Sequence, residues 1–220
     1  MSPKTDKEID RYQLTQDIRG WAADLGFSHI GITDTNLSHE EAGLISWLES
    51  GFHGDMDYMS KHGTMRARPT ELVPGAITII SCRLNYWPDA KDAQGILNNP
   101  ETAYISRYAL GRDYHKVMRQ KLNRFVKKIQ GNIGGYAFRI FSDSAPVMEV
   151  ALARKTRLGW RGKHTLLLSR EAGSLFFLGE IVTNLPLSPD KPAQEHCGQC
   201  TACIDICPTG AIIAPYRLDA

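Results

Sequence analysis

The sequence predicts an α+β fold: a central sheet flanked by helices, followed by a small cysteine-rich module. Three observations point there. Apolar residues recur at helical spacing in Leu14, Ile18, Trp21 and Leu25, and again in Met118, Leu122, Phe125 and Ile129. Between these stretches lie short β-branched or aromatic runs bounded by glycine and proline, of which "GAITIISCRLNYW" is the clearest strand. Near the end, four of the five cysteines crowd into "CGQCTACIDICP".

Taken in order, the first helix ends before Gly26 and "HIGIT" reads as a short strand. A second helix is expected from Leu37 to Leu48, with Gly51 and Gly54 breaking the chain after it. The polar stretch Asp89–Pro100 reads as a loop. Asp113 suits the N-cap of a helix running to about Ile129, and the glycines between Gly131 and Gly135 suit a turn. "GYAFRIF" should be a strand, and Pro146 suits the first turn of a further helix. "KHTLLLS" and "SLFFLGEIV" read as two more strands. The proline-rich stretch from Leu185 to Glu195 reads as a linker, which divides the chain into residues 1–185 and 186–220.

With 220 residues, 42% hydrophobic and 9% aromatic, the chain is long and apolar enough to bury a core. A net charge of +2 does not announce a nucleic-acid binder. The N-terminus lacks an apolar secretion segment and no apolar run reaches membrane-spanning length. Cys82 stands alone in an apolar stretch, so a disulfide framework is not expected. A cytoplasmic location, with no membrane partner, fits this reading. Dinucleotide-binding, phosphate-loop, nucleophile-elbow and zincin motifs are all missing.

Cys197, Cys200, Cys203 and Cys207, with Pro208 after the last, have the C-x2-C-x2-C-x3-C-P spacing of bacterial [4Fe–4S] ligation. Short gaps wrap thiolates around one corner of a cubane, and small Gly198, Thr201 and Ala202 let the backbone approach it. Zinc is the alternative, but zinc sites usually come as two separated C-x2-C pairs. In two-cluster modules the fourth cysteine of such a run serves the other cluster. Three ligands of the second set are then missing here, so the chain is expected to be the front part of a longer protein.

Three further stretches precede the cysteines: "GFHGDMDYMSKHGTMRARPTELVPGA", "YISRYALGRDYHKVMRQKL" and "SDSAPVMEVALARKTRLGWRGKHTLLLSREAGSLFFLGEIVTNLPL". In that order, ahead of "CGQCTACIDICPTGAI", they resemble epoxyqueuosine reductase from about Gly51 onward. The resemblance implies a cobalamin-binding domain over residues 1–185, related to the corrinoid domains of reductive dehalogenases. It further implies part of a ferredoxin-like 4Fe-4S module over residues 186–220, in a family that carries two clusters and a helical-repeat domain beyond. The implied reaction is two-electron reduction of the epoxide of epoxyqueuosine, in the tRNA anticodon loop, to queuosine. Partners are then that tRNA and an electron donor, and the chain is expected to be a monomer.

The resemblance gives Asp143, in "FSDSAP", the role of proton donor, although Asp and Ser before Pro146 also suit a helix N-cap. A helix N-terminus favours the carboxylate and burial the acid, so the acid role requires burial to prevail. The corrin pocket is expected to involve Arg66, Ser106, Asp143, His164, Leu167 and Leu178, without a histidine ligand to cobalt. Arg66 also suits a simple ion pair, and the leucines a simple core. The basic residues Lys116, Arg119, Lys121, Arg124, Lys127 and Lys128 are expected on one helix, as an RNA face or a solvated one. The alternatives are a corrinoid reductive dehalogenase-like enzyme, an iron–sulfur electron-transfer protein and a cobalamin carrier.

Overall fold

The computed structural model describes residues 10–87 and 92–220. Its strands are β1 (His29–Thr33), β2 (Thr78–Asn85), β3 (Phe138–Phe141), the short pair β4 (Trp160–Arg161) and β5 (Leu167–Leu168), β6 (Phe176–Thr183), and the short pair β7 (Ile212–Ala214) and β8 (Arg217–Leu218). The main sheet has the order β1-β2-β6-β3, with every neighbouring pair antiparallel. Its helices include α1 (Arg11–Asp24), α2 (Ser38–Glu49), α3 (Tyr114–Ile133), α4 (Glu149–Arg154) and α5 (Ala202–Asp205), beside short helical turns at Asp57–Lys61, Pro69–Leu72 and Ala93–Leu97.

Strand periodicity sorts the sheet into two faces. Ile80, Cys82 and Ile181 point to one face, where Leu14, Ile18 and Ala22 of α1 and Met118, Leu122, Phe125 and Ile129 of α3 cover them. Ile79 and Val182 point to the other, against Leu44 of α2 and Ala151 and Leu152 of α4. Asp10 caps α1 through bonds from the Tyr12 and Gln13 amides, and Asp113 caps α3 through the His115 amide.

Several boundaries differ from the sequence reading. α3 runs through Gly131 to Ile133, since its packed stripe outweighs one unfavourable residue. The expected loop Asp89–Pro100 holds a helical turn, Ala93–Leu97, capped by Asp92; residues 88–91 lie outside the described part. The helix expected from Pro146 starts at Glu149, because residues 142–147 form tight turns instead (Ser144 N to Ser142 O, 2.7 Å; Val147 N to Ala145 O, 2.8 Å). "KHTLLLS" yields only the two-residue strand β5, because Thr165, with φ of 74°, turns the chain just before it.

The stretch expected as a linker is tied into the main body. Leu185 and Leu187 are buried in the core. Asp190 takes Arg19 Nη2 at 2.5 Å and the Ile32 amide at 3.0 Å, and its own amide reaches Ile32 O at 2.8 Å. This half-strand contact fastens β1, so Asp190→Ala should cost about 2 kcal/mol in urea unfolding, as for a charged hydrogen-bonded group losing its partners. A cost near zero would mean that the stretch is a free tether.

Candidate active site

Asp143 sits on the loop between β3 and α4 with φ of 56°, a left-handed conformation that costs a non-glycine residue energy. Three contacts hold it there. Its amide donates to Glu149 Oε1 at 2.8 Å. Its Oδ2 accepts from the Tyr114 hydroxyl and lies 2.8 Å from His115 Nε2. The other nitrogen of His115 lies 3.0 Å from Asp113 Oδ1, so each ring nitrogen faces a carboxylate. Burial, then the Asp143 bond, push the Tyr114 hydroxyl's pKa up, which keeps it a donor.

Asp143 is not the helix N-cap that the sequence also allowed. That position belongs to Met148, and α4 is short, so the helix end no longer competes for the carboxylate. Half of the Asp143 side chain is exposed. Both side-chain contacts converge on Oδ2; among the described residues Oδ1 receives no hydrogen bond.

The loop stands between two concavities. On one side Asp143, Tyr114, Glu149, Val150, Leu167, Phe176, Phe177 and Leu178 line a cavity of about 190 Å³. The Tyr114 and Phe177 rings stack there with centroids 4.1 Å apart. A neighbouring cavity of about 280 Å³ shares Glu149 and Val150 and includes Arg66 and Thr165. On the other side of the loop, His62, Arg119, Arg139, Ser142 and Ser144 line a larger cleft of about 510 Å³. The first cavity sets two carboxyls among apolar side chains, and the cleft sets two arginines and a histidine among apolar ones such as Met65, Leu72 and Pro146.

Of the residues expected at a corrin pocket, Asp143, Leu167 and Leu178 meet in the first cavity and Arg66 lines the second. Arg66 is buried and donates to Tyr58 O (2.8 Å) and Met59 O (3.3 Å) instead of pairing with a carboxylate. Burial lowers its pKa. His164 lies in the β4–β5 turn, its Nδ1 accepting the Leu166 amide at 3.1 Å. Ser106 is exposed ahead of the turn Arg107–Ala109 and lines none of these three cavities. The basic residues of α3 do not form one face: Arg119 lines the cleft, while Lys121 Nζ donates to Leu25 O at 2.5 Å.

Sequence reasoning missed Tyr114, His115 and Glu149. The first two follow Asp113, whose capping role was legible, but their partner lies 28 or 29 positions away.

All four cysteines of the run are free thiols. Among the described residues, no three side chains of His, Cys, Asp or Glu are gathered into a group that could hold a metal ion. The thiols would therefore have to turn inward around one. The loop that carries them is held from the main body: Lys163 Nζ donates to Gly198 O and Cys200 O, each at 2.8 Å. The Ile212 amide and then the Thr209 hydroxyl lower the pKa of the Cys207 thiol, although burial opposes this. Trp47 Nε1 to Leu218 O (2.7 Å) and Ala220 N to Phe52 O (2.9 Å) dock the chain end. Among the described residues no helix is long and apolar enough to cross a membrane.

Comparison with known proteins gives a consistent picture. A family model described as "Epoxyqueuosine reductase QueG, DUF1730" matches residues 66–144. The epoxyqueuosine reductase of Pseudomonas aeruginosa is 54% identical over 96% of this chain and 59% of its own length. A Bacillus subtilis epoxyqueuosine reductase, solved with an aspartate-bearing catalytic loop swung out of the active site, superposes with a TM-score of 0.81. It is 27% identical over 96% of this chain and 55% of its own. An epoxyqueuosine reductase solved with an epoxyqueuosine-modified tRNA-Tyr stem loop gives 0.79 at 29% identity, over 96% of this chain and 56% of its own. The chain therefore spans little more than half the length of the relatives it matches.

Proposed function

This chain belongs to the epoxyqueuosine reductase family, and from that premise we propose that it takes part in reducing the epoxide of epoxyqueuosine in the tRNA anticodon loop to queuosine, with Asp143 as proton donor. The observation that carries this reading is the loop of Asp143, held between a cavity with aromatic and leucine walls and a cleft that presents Arg119 and Arg139.

The residues fit the groups that the family implies. An apolar macrocycle fringed with polar groups calls for an apolar wall and a few polar side chains at its rim. Leu167, Phe176, Phe177, Leu178 and Val150 would supply the wall. Arg66 would supply a polar group, while His164 and Ser106, which line neither cavity, would need to reach in. Cobalamin, when bound, supplies low-potential electrons to carbon, and a 4Fe-4S cluster restores them. Cys197, Cys200 and Cys203 would hold one cluster, while Cys207 would serve a second.

Converting an epoxide to a carbon–carbon double bond and water takes two electrons and two protons. The carbon–oxygen bond breaks as negative charge grows on oxygen, and a positioned acid there lowers the barrier. With Oδ2 accepting from the Tyr114 hydroxyl and facing His115, the acidic proton belongs on Oδ1, the oxygen without a contact. After transfer, His115 is placed to return a proton to Asp143, its far nitrogen abutting Asp113 at the surface.

Incubating the chain with cobalamin, a chemical reductant and an epoxyqueuosine-bearing stem loop tests the proposal. The released nucleoside should lose the mass of one oxygen; an unchanged nucleoside overturns it. Across the loop, Arg119 and Arg139 are placed to meet phosphates. An Arg119→Ala, Arg139→Ala variant should bind the stem loop about tenfold more weakly, with a shallower salt dependence. Equal binding would place the RNA elsewhere.

A further inference from the structure

Beneath the Asp143 loop lies a second pair of carboxyls. Glu180, in the middle of β6, is fully buried, and neither of its oxygens makes a well-aligned hydrogen bond among the described residues. Strand periodicity turns it, with Ser81 opposite on β2, toward the face that α4 covers. The buried Ser81 hydroxyl faces Glu180 there without a well-aligned bond, and favours its ionised form less than burial opposes it. Glu149, the first residue of α4, stands against Glu180 and accepts the Asp143 amide at 2.8 Å. Three carboxyls thus run inward from the cavity: Asp143, Glu149, Glu180.

No cation answers them. Arg66 and Arg161 line the cavity that Glu149 shares, but Arg66 is spent on two carbonyls and Arg161 pairs with Glu40 at 3.4 Å. Tyr114, from α3, faces the group with a hydroxyl that stays neutral at physiological pH, and the buried Cys82 thiol, on the opposite sheet face, is neutral too. A fully buried Glu180 beside a partly buried Glu149 on the cavity wall, with no cation, makes two negative charges there costly. The pair avoids it by retaining a proton.

Resting on the reading of Asp143 as donor, we propose that Glu149 and Glu180 form a one-proton carboxyl pair whose outer member, Glu149, is a positioning residue that fixes the Asp143 loop through its amide. Burial agrees with this: against the Asp143 amide and Glu180 it pushes Glu149 up to about 7, and with Glu149 it pushes Glu180 well above the ordinary carboxylate range. Glu180 then keeps the proton. Glu149, ionised above neutrality, holds the Asp143 amide by a charge-assisted bond. When Glu149 is protonated that bond weakens and the loop is freed. That value of about 7 includes the charge of Asp143, so Glu149 keeps its proton, and the loop loosens, most readily once Asp143 is spent.

The test is the Asp143 backbone amide, followed by NMR on the whole chain from acid to alkaline pH. Its proton shift should titrate with a midpoint near 7, and should be flat in Glu149→Gln, which keeps an oxygen acceptor. In the Asp143→Asn background at alkaline pH, where Glu149 is ionised, infrared spectra should show one protonated carboxyl that disappears when Glu180→Gln is added. An Asp143 amide that does not titrate near neutrality, or titrates equally in Glu149→Gln, overturns the proposal, as does a missing carboxyl band. Asp143→Asn separates the two claims. If epoxide reduction survives in that variant while its amide still titrates, the donor reading fails and the pair stands. If reduction is lost while the wild-type amide stays flat, the reverse holds.

Discussion

With Asp143 as the proposed proton donor, replacing it with Asn should lower the rate of epoxide reduction by about 10²- to 10⁴-fold, roughly 3–5 kcal/mol on the barrier, the usual contribution of a positioned general acid. Asparagine matches aspartate in shape, and its Oδ1 can take the bonds of the Tyr114 hydroxyl and His115. The loop conformation, set at the backbone by Glu149, is preserved. Only the transferable proton is removed. Single-turnover reduction with cobalamin already bound isolates the step, and retained cobalamin absorbance shows that the cavity is intact. A rate within about threefold of wild type would leave Asp143 with a structural role only.

The second large effect is on folding. Glu149 and Glu180 have raised pKa values in the folded chain, both chiefly through burial. For a raised pKa the folded state holds the proton more tightly than the unfolded one. The stabilisation is complete below the unfolded value near 4.5 and is lost as pH rises through the folded value of about 7. For Glu149 this amounts to about 3 kcal/mol at 1.4 kcal/mol per pH unit, and Glu180 adds in the same direction. Asp34 and Glu171 have lowered values, which act with the opposite sign but only at acid pH. His29, lowered by burial and then by Arg83, also opposes the pair, and does so near neutrality. The comparison therefore rests on a Glu149→Gln, Glu180→Gln double variant. It should be relatively more stable above neutral pH in urea unfolding, and should lose the decline between about pH 5 and 8. An unchanged slope would show that the pair carries no retained proton.

Much of the fold was legible because local signals and tertiary packing agree. The stripe Met118, Leu122, Phe125, Ile129 announced α3, and all four are fully buried. "HIGIT" and the run around Ile79–Cys82 became adjacent antiparallel strands. Pro146 misled because its fixed φ suits a helix start, whereas the turns that carry Asp143 delay the helix to Glu149. The Leu185–Glu195 stretch looked like a tether on its prolines, yet Asp190 finds Arg19, some 171 positions earlier. The site divides in the same way. Asp143 and the cysteines could be singled out from the sequence, since motif and order mark them. Tyr114, His115 and the Glu149–Glu180 pair could not, because each acts through a partner that only the sheet and its loops bring near. No local pattern marks Glu180 either; in sequence it is one polar residue inside an apolar strand.

The most direct measurement is cobalt content after the anaerobically purified chain is mixed with cobalamin and freed of excess, read beside iron and sulfide. Cobalt retained in a one-to-one ratio with the chain, together with iron, is the result predicted for a corrinoid pocket facing Asp143. No retained cobalt, with iron still present, would contradict it and leave an iron–sulfur protein without a place for the epoxide chemistry.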